Sequence, residues 1–520
     1  MKKKIEYTAN GKKKERTYNY IPIRYILALL LIFLEIAAVI AVMSLLTIYI
    51  PYFVIAVLLT QFAVAIAIIN SDDNPDYKVP WLFFVLLIPI IGFMCYFMLY
   101  SRQLSKKQVK KLRALQSETT GKDDTAELSE LKENSPLAYS QAAALGKLAA
   151  THVYRNTDIR YYPLGEDLFA DLLTDLRGAQ EFIFMEYFII EDGLFWGSIL
   201  EILKEKAALG MEVRVVYDDF GCMLTLPGNY YKELSKYGIK CVPFAKLKGQ
   251  ANNEFNNRSH RKITVIDGKI GYTGGINLAD EYINHIVKHG HWKDVGIRLE
   301  GEAVGELTRT FLFDYELNAK DKAYDFKRYY RKIEANNAGW CVPFGDGPKP
   351  VFGRQVAKTA ILNMLFQAER YVYITTPYLI IDNELVQALE DAAIRGVDVR
   401  IITPGIPDKK LIFMITRSYY PRLLEAGVKI YEYAPGFIHA KTYMADGKYA
   451  IVGTINLDYR SLVHHFENGV WMYAHKVIGD IEKDFSETLQ KSILFKSAML
   501  KDNALRRFVR AMIKVFTPLF

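Results

Sequence analysis

The sequence predicts an α/β fold built from two pseudo-equivalent α/β sandwich repeats that form one unit, preceded by a transmembrane helical region. Three observations carry this expectation. A strand–turn–strand segment, "GFIHAKTYMADGKYAIVGTINLD" (436–458), has the same skeleton as "NRSHRKITVIDGKIGYTGGINLAD" (257–280). Strand and helix patterns alternate in the same order ahead of both copies. Almost every residue from Tyr25 to Tyr100 is apolar.

The N-terminal quarter comes first. Residues 1–24 read as a basic tail, with Lys2–Lys4, Lys12–Lys14, Arg16 and Arg24. Region 25–100 holds three hydrophobic stretches, about 25–49, 52–69 and 81–100, separated by Tyr49-Ile50-Pro51 and "NSDDNPDYKVPW". Each matches the ~20 residues needed to cross a hydrocarbon core, and all exceed a signal-peptide core. Arg102, Lys106, Lys107, Lys110, Lys111 and Arg113 follow the last stretch, so both flanks are basic. The positive-inside rule then favours an even number of crossings. Two or three membrane helices are expected, with weight on two crossings, a multi-pass placement in the cell membrane and a cytoplasmic globular part.

Residues 101–134 are charged and read as a linker with some helical content. The first repeat is expected over 135–340 and the second over 341–497. In the first, "EFIFMEYFII" (181–190) and "GMEVRVVYDD" (210–219) read as buried strands flanking the helical "GSILEILKEKAALG". In the second, "RYVYITTPYLII" (370–381), "NELVQALEDAAIRG" (383–396) and "GVDVRIITPG" (396–405) repeat that order. Residues 498–520 close the chain as a basic amphipathic helix, with Leu505, Phe508, Val509, Met512 and Phe516 on one stripe.

Composition narrows the chemistry. A hydrophobic fraction of 51% is high for a chain lying wholly in water. The formal charge of +8 is concentrated beside the apolar region and at the two ends, which suits anionic lipid better than a nucleic-acid track. Four widely spaced cysteines show no CxxC pattern, so neither a zinc site nor a disulfide framework is indicated. His285, His289 and His291 lie in a glycine-containing loop without a complete ligand set.

Asp267-Gly268 and Asp446-Gly447 suit the centre of a type I′ turn. With that turn, 445 pairs with 448, 441 with 452 and 439 with 454. His439 and Lys441 then share a face, with Asn456 just beyond the residue opposite His439. The same arithmetic gathers His260, Lys262 and Asn277. Each copy offers an imidazole, an ammonium and a carboxamide, a set that suits a phosphoryl group. Two copies provide one histidine for attack and one for proton transfer, and the lysines supply positive charge without a metal or other cofactor.

His260-x-Lys262-x4-Asp267 and His439-x-Lys441-x4-Asp446, each followed by Gly-x-Ile-Asn, are similar to the duplicated HKD motif of the phospholipase D superfamily. With "NPDYKVPW" and the apolar N-terminal region, the chain resembles bacterial membrane-bound cardiolipin synthases along nearly its whole length, the basic N-terminus excepted. The resemblance implies two phospholipase D-like repeats forming one catalytic unit. It implies transfer of a phosphatidyl group between two phosphatidylglycerol molecules, through a phosphatidyl-histidine, to give cardiolipin and glycerol. By the same analogy His260 is the nucleophile and His439 the acid/base. Asp267 and Asp446 belong to the motif, but the hairpin puts them in the turn, remote from the histidines, where a structural role is expected. Asp294 and Glu467 match the family's acidic positions downstream of each motif and are expected to orient the imidazoles. The rival readings are a phospholipase D-type hydrolase, a phosphatidyltransferase using another alcohol, a nuclease, and a non-catalytic lipid-binding scaffold.

Overall fold

The computed structural model describes residues 2–7, 13–18, 23–45, 50–97, 110, 126–246, 256–319, 326–333, 339–349, 351–500 and 504–519. The chain divides into two compact units, residues 1–101 and 102–520.

In the first unit, Lys2–Tyr7 and Lys13–Tyr18 pair as an antiparallel ribbon from Lys2↔Tyr18 to Tyr7↔Lys13. The expected basic tail therefore contains a hairpin, and the turn-forming pair Asn10-Gly11 falls between its strands in the sequence. Two helices follow, Ile23–Leu45 and Ile50–Ile69. Among the described residues, Pro51–Ile69 is long and apolar enough to cross a membrane, and Leu29–Val42 is a shorter apolar run.

The third hydrophobic stretch differs from expectation, because it is not one continuous helix. It begins at Pro75, capped by the Asn74 side chain, runs to Leu87, and restarts as Pro89–Cys95. Pro89 disfavours helical geometry at Ile88, whose φ and ψ are −128° and 81°. It also lacks the N–H that would bond the Val85 carbonyl. Gln61 Nε2 donates to that carbonyl at 2.9 Å and to the Leu86 carbonyl at 3.3 Å. An amide from the neighbouring helix thus takes up an acceptor that proline orphans, which matters most where water is scarce.

The second unit contains the duplication. Its first sheet has seven strands in the order Thr157–Tyr162, Gly296–Gly301, Ile270–Gly274, Lys262–Ile266, Phe182–Tyr187, Glu212–Asp218, Lys240–Phe244. The second follows the same order with Trp340–Asp346, Glu467–Tyr473, Tyr449–Gly453, Thr442–Ala445, Tyr371–Thr375, Asp398–Pro404 and Lys429–Tyr433, then adds Ser492–Leu494 at its edge. In each sheet three parallel strands abut an antiparallel hairpin. All six residues of Phe182–Tyr187 are buried, as a central strand covered on both faces requires.

One buried cluster joins the sheets. It contains Phe184, Ile263 and Val265 from the first and Met444, Val452 and Val470 from the second. Helices Val304–Asn318 and Ile478–Gln490 contribute Phe311 and Phe485 to it. Leu172, Trp196 and Ile199 pack on the outer side of the first sheet. The outer side of the second is covered partly by residues that precede the first strand of the first sheet. Helix Ala126–Asn134, read from composition as the end of a linker, buries Leu131 there. Helix Pro136–Ala149, capped by Ser135, adds Ala138, Ala142 and Leu145 to the same cluster. Residues ahead of the first sheet thus pack on the second.

The hairpin register is one residue off the expected one. Ile266 pairs with Ile270 and Ala445 with Tyr449. The turn itself is as expected, with φ of 54° and 68° at Asp267-Gly268 and 57° and 68° at Asp446-Gly447. Lys269 and Lys448 close it by donating to the Ile266 and Ala445 carbonyls, each at 3.0 Å. Each then remains as an extra residue before pairing resumes, a bulge that the two-residue turn rule does not anticipate. Thr442, rather than Lys441, opposes Val452.

Candidate active site

The four motif residues His260, Lys262, His439 and Lys441 are all buried where the repeats meet. Both histidines lie just outside their hairpin strands, and a segment of the opposite repeat holds each one. His260 N donates to the Phe466 carbonyl at 2.9 Å, and His439 N to the Lys293 carbonyl at 2.7 Å. In each case the next residue along is an acid. Glu467 carboxylate oxygens lie 2.9 and 3.0 Å from His260 Nδ1. Asp294 Oδ2 lies 2.6 Å from His439 Nδ1. The acid downstream of each motif therefore serves the histidine of the other repeat, and neither half-site is complete alone.

The ionised Glu467 carboxylate only accepts, so at His260 Nδ1 carries the proton and Nε2 the lone pair. Burial pushes His260 down to about 3 against the Glu467 charge, keeping its imidazole neutral. Burial acts to raise Glu467, but its interactions with His260 and His465 together outweigh that effect and hold the carboxyl below the usual carboxylate range. Thr454 Oγ1 also donates to Glu467. At the other half-site burial lowers His439 and raises Asp294 to about 7, with Lys441 pulling Asp294 the other way. Where the second repeat has Thr454, the first has Gly275. A Cβ there would fall 2.1 Å from Asp294 Oδ1, so the carboxylate fits only against glycine.

The lysine side chains fold back on their own motifs. Lys262 Nζ donates to the His260 carbonyl at 2.7 Å, and Lys441 Nζ to the His439 carbonyl. Burial lowers Lys262 to about 7 and Lys441 to about 8, while Glu467 and Asp294 act to raise both. Two lysines whose burial brings them near neutrality, beside two imidazoles, have the charge and donors that a phosphoryl group requires. Aromatic rings wall it, with Phe188 edge-on to His260 at 5.1 Å and Tyr282 edge-on to His439 at 5.4 Å.

Asp267 and Asp446 are engaged elsewhere. The Asp267 carboxylate accepts the N–H groups of Gln180, Glu181 and Phe182 at 2.8, 2.7 and 2.9 Å. Asp446 accepts those of Glu369, Arg370 and Tyr371 at 2.9, 2.8 and 2.9 Å. Each ties its turn to the start of the adjacent strand, so neither touches a histidine. The two asparagines differ. Asn277 Oδ1 accepts from Ile189 N at 3.0 Å and Nδ2 donates to Tyr282 at 2.7 Å, which uses much of its amide in positioning the loop. Asn456 Oδ1 is buried without a hydrogen-bond partner among the described residues.

His465 was missed in the sequence. Its ring centroid lies 5.4 Å from that of His260. The available signal was its place in "HHFENGV", two residues before Glu467. His260, His465 and Glu467 each offer one possible ligand atom within 4.8 Å of the others. Glu467 is already committed to His260 Nδ1, so this donor set is spent on the hydrogen-bonded dyad. His291 bonds Tyr433 at 3.0 Å, a packing role.

Fold and site together define a two-repeat phospholipase D-type phosphoryl-transfer enzyme. The family described as "Cardiolipin synthase, PLD-like domain" matches residues 172–289 and 361–489, and "Phospholipase_D-nuclease N-terminal" matches 60–99. A Halalkalibacterium halodurans protein named cardiolipin synthase is 31% identical over 90% of this chain and 93% of its own length. An uncharacterised Streptococcus mutans protein is 42% identical over 87% of this chain and 98% of its own. The crystal structure of phosphatidylserine synthase from Haemophilus influenzae superposes with a TM-score of 0.57 at 16% identity, covering 73% of this chain and 97% of that one, which shows a shared fold. The chain belongs to the cardiolipin synthase family of phospholipase D-like proteins.

Proposed function

We propose that the protein is a cardiolipin synthase, a phosphatidyltransferase acting on phosphatidylglycerol, and that its two dyads divide the chemistry. His260 Nε2 attacks the phosphorus of one phosphatidylglycerol. The P–N bond forms as the bond to the headgroup glycerol oxygen breaks; that oxygen takes the Nε2 proton of His439 while the proton held by the raised Asp294 moves onto His439 Nδ1, so that glycerol leaves. His439, now with a lone pair on Nε2, takes the proton from a headgroup hydroxyl of a second phosphatidylglycerol, and its Nδ1 proton returns to Asp294. That oxygen displaces His260 from phosphorus and cardiolipin forms. Glu467 stabilises the positive imidazole of the intermediate, and Lys262 and Lys441 hold the phosphoryl oxygens.

The observation that carries this reading is the crossed pairing of Glu467 with His260 and Asp294 with His439. It leaves each imidazole with a free Nε2. The ionised state of Glu467 favours His260 as the nucleophile, while the raised Asp294 suits His439 to proton exchange. The test supplies labelled phosphatidylglycerol to the purified full chain. Cardiolipin and glycerol are expected in equal amounts, with a phosphatidyl adduct trapped on His260 in the His439→Ala variant. Phosphatidic acid as sole product, without cardiolipin, would refute the synthase reading, and an adduct confined to His439 would exchange the roles.

The membrane placement belongs to the same proposal. Helices Ile23–Leu45 and Ile50–Ile69 cross the bilayer, the Pro-broken Pro75–Cys95 segment does not, and both basic flanks stay cytoplasmic. The helix Ala504–Phe516 leaves Leu505, Phe508, Val509 and Met512 exposed, and that face lies on anionic lipid. Labelling of single cysteines in whole cells and in inverted vesicles reports the sidedness. A globular unit labelled from outside intact cells would overturn it.

A further inference from the structure

We infer that His465 binds a hydroxyl of the headgroup alcohol and selects a polyol over a simple alcohol, a role that rests on the phosphatidyl-transfer reading above. His465 follows the Arg460–His464 turn, and its N–H donates to the Arg460 carbonyl at 2.8 Å. The next residue is pinned on both sides, because Phe466 N donates to Arg258 O at 2.8 Å and Phe466 O accepts from His260 N at 2.9 Å. The backbone therefore fixes the imidazole against His260, at 5.4 Å between ring centroids, with Phe188 on another side at 6.3 Å.

That imidazole is 7% exposed, and neither of its nitrogens has a hydrogen-bond partner among the described residues. Its Nδ1 stands 3.6 Å from Glu467 Oε1, beyond hydrogen-bond reach. The charged or titratable groups that sense it are Asp218, Asp458, Glu467, His260 and His464. The three acids have other work. Asp218 accepts from Phe220, Gly221 and Ser259, Asp458 from Ser461, and Glu467 from His260 and Thr454. A buried polar ring with both nitrogens open beside a reacting histidine is a group held ready for a ligand.

The other half-site identifies the ligand's chemistry. Two residues before Asp294, in the place His465 occupies before Glu467, stands Trp292, whose ring centroid is 5.7 Å from that of His439. One half-site thus presents an indole, whose Nε1 is a donor only and is also without a hydrogen-bond partner among the described residues, where the other presents a ring that can both donate and accept. A neutral imidazole has one donor and one acceptor. A phosphodiester anion offers acceptors only, whereas a hydroxyl both donates and accepts. The complementary group is therefore an alcohol, and glycerol carries hydroxyls beyond the one that reacts.

The experiment gives the purified full chain phosphatidylglycerol micelles with deuterated glycerol and ethanol at equal concentration. Mass spectrometry reads the ratio of deuterated phosphatidylglycerol to phosphatidylethanol, and cardiolipin in the same samples. The wild-type chain is expected to favour glycerol by about tenfold or more, His465→Phe to bring the ratio near one, and His465→Gln to keep most of the preference. A proportional fall of both products at an unchanged ratio in His465→Phe means a structural role and overturns the inference. Cardiolipin synthesis with no effect of His465→Phe on the ratio overturns it while leaving the enzyme's function standing. A glycerol preference lost in His465→Phe, with no cardiolipin from the wild type, supports the inference and refutes the synthase reading. No alcohol product from any chain refutes both.

Discussion

Replacing Asp267 tests whether the third letter of the motif belongs to chemistry or to architecture. Its carboxylate accepts three backbone N–H groups within 2.9 Å, and its backbone sits at φ 54°. Gln180 and Glu181 are exposed, so water can replace the bonds to their N–H groups, but Phe182 is buried and its N–H would be stranded. An orphaned buried donor costs about 1–3 kcal/mol, and the lost charge assistance of the other two bonds adds about 1 kcal/mol. Alanine in the left-handed region adds roughly 1 kcal/mol more, a term that asparagine largely escapes. Asp267→Ala should therefore destabilise the globular unit by about 3–5 kcal/mol and Asp267→Asn by about 2 kcal/mol. At roughly 2 °C per kcal/mol, the melting temperature falls by roughly 6–10 °C and 4 °C respectively. Scanning calorimetry of the purified chain reads the shift, and turnover below the transition, per folded molecule, is expected to stay within about threefold of wild type. A loss of 10³-fold or more in turnover with an unchanged melting temperature would refute the reasoning and return the carboxylate to the chemical step.

Glu467→Gln keeps the shape of the dyad but withdraws the charge that supports a cationic His260. By analogy with other carboxylate–histidine pairs, turnover should fall about 10³–10⁴-fold, read as cardiolipin formed per minute at matched melting temperature. Gly275→Ala drives a methyl group into the Asp294 carboxylate, so it should slow proton transfer at His439 at least as much as Asp294→Asn does. Wild-type activity in Gly275→Ala would show that the carboxylate moves freely. The pH profile follows from the lysines, whose protonated form binds phosphate. Both are charged below their lowered values and lose the proton as pH rises through about 7 and 8, so activity should fall along an alkaline limb there, well short of the ordinary lysine value. Lys262→Arg, which cannot deprotonate in that range, should move the limb upward, and an unmoved limb would assign it elsewhere. On the acid side, burial of His260 keeps the nucleophile neutral below the usual histidine value, so activity should persist at pH 5.5.

Much of this was legible along the chain because it is local. The period-two pattern, the Asp-Gly turns and the recurrence of one block announced two sheets with the His-Lys pairs on matching hairpins. The hairpin register differs by one residue from the one a two-residue turn implies, because Lys269 and Lys448 stand as extra residues between the turn and the ladder. The third apolar stretch counted as one span by composition, whereas Pro89 divides it and Gln61 of another helix makes the break tolerable. Residues 126–149 carried no sign that they would cover the second repeat.

The sequence by itself determined which residue types could meet a phosphate, and that they would do so twice, because each His-x-Lys leads directly into a hairpin whose strands and Asp-Gly turn are local features of the chain. Only the tertiary structure decided which acid serves which histidine. Asp294 and Glu467 each look like partners of the motif just before them, yet each lies on the segment that crosses to the other repeat. Pairings between residues 145 and 207 positions apart leave no periodicity in the sequence. They exist because two sheets bury a common core, and that burial brings each acid to the opposite histidine.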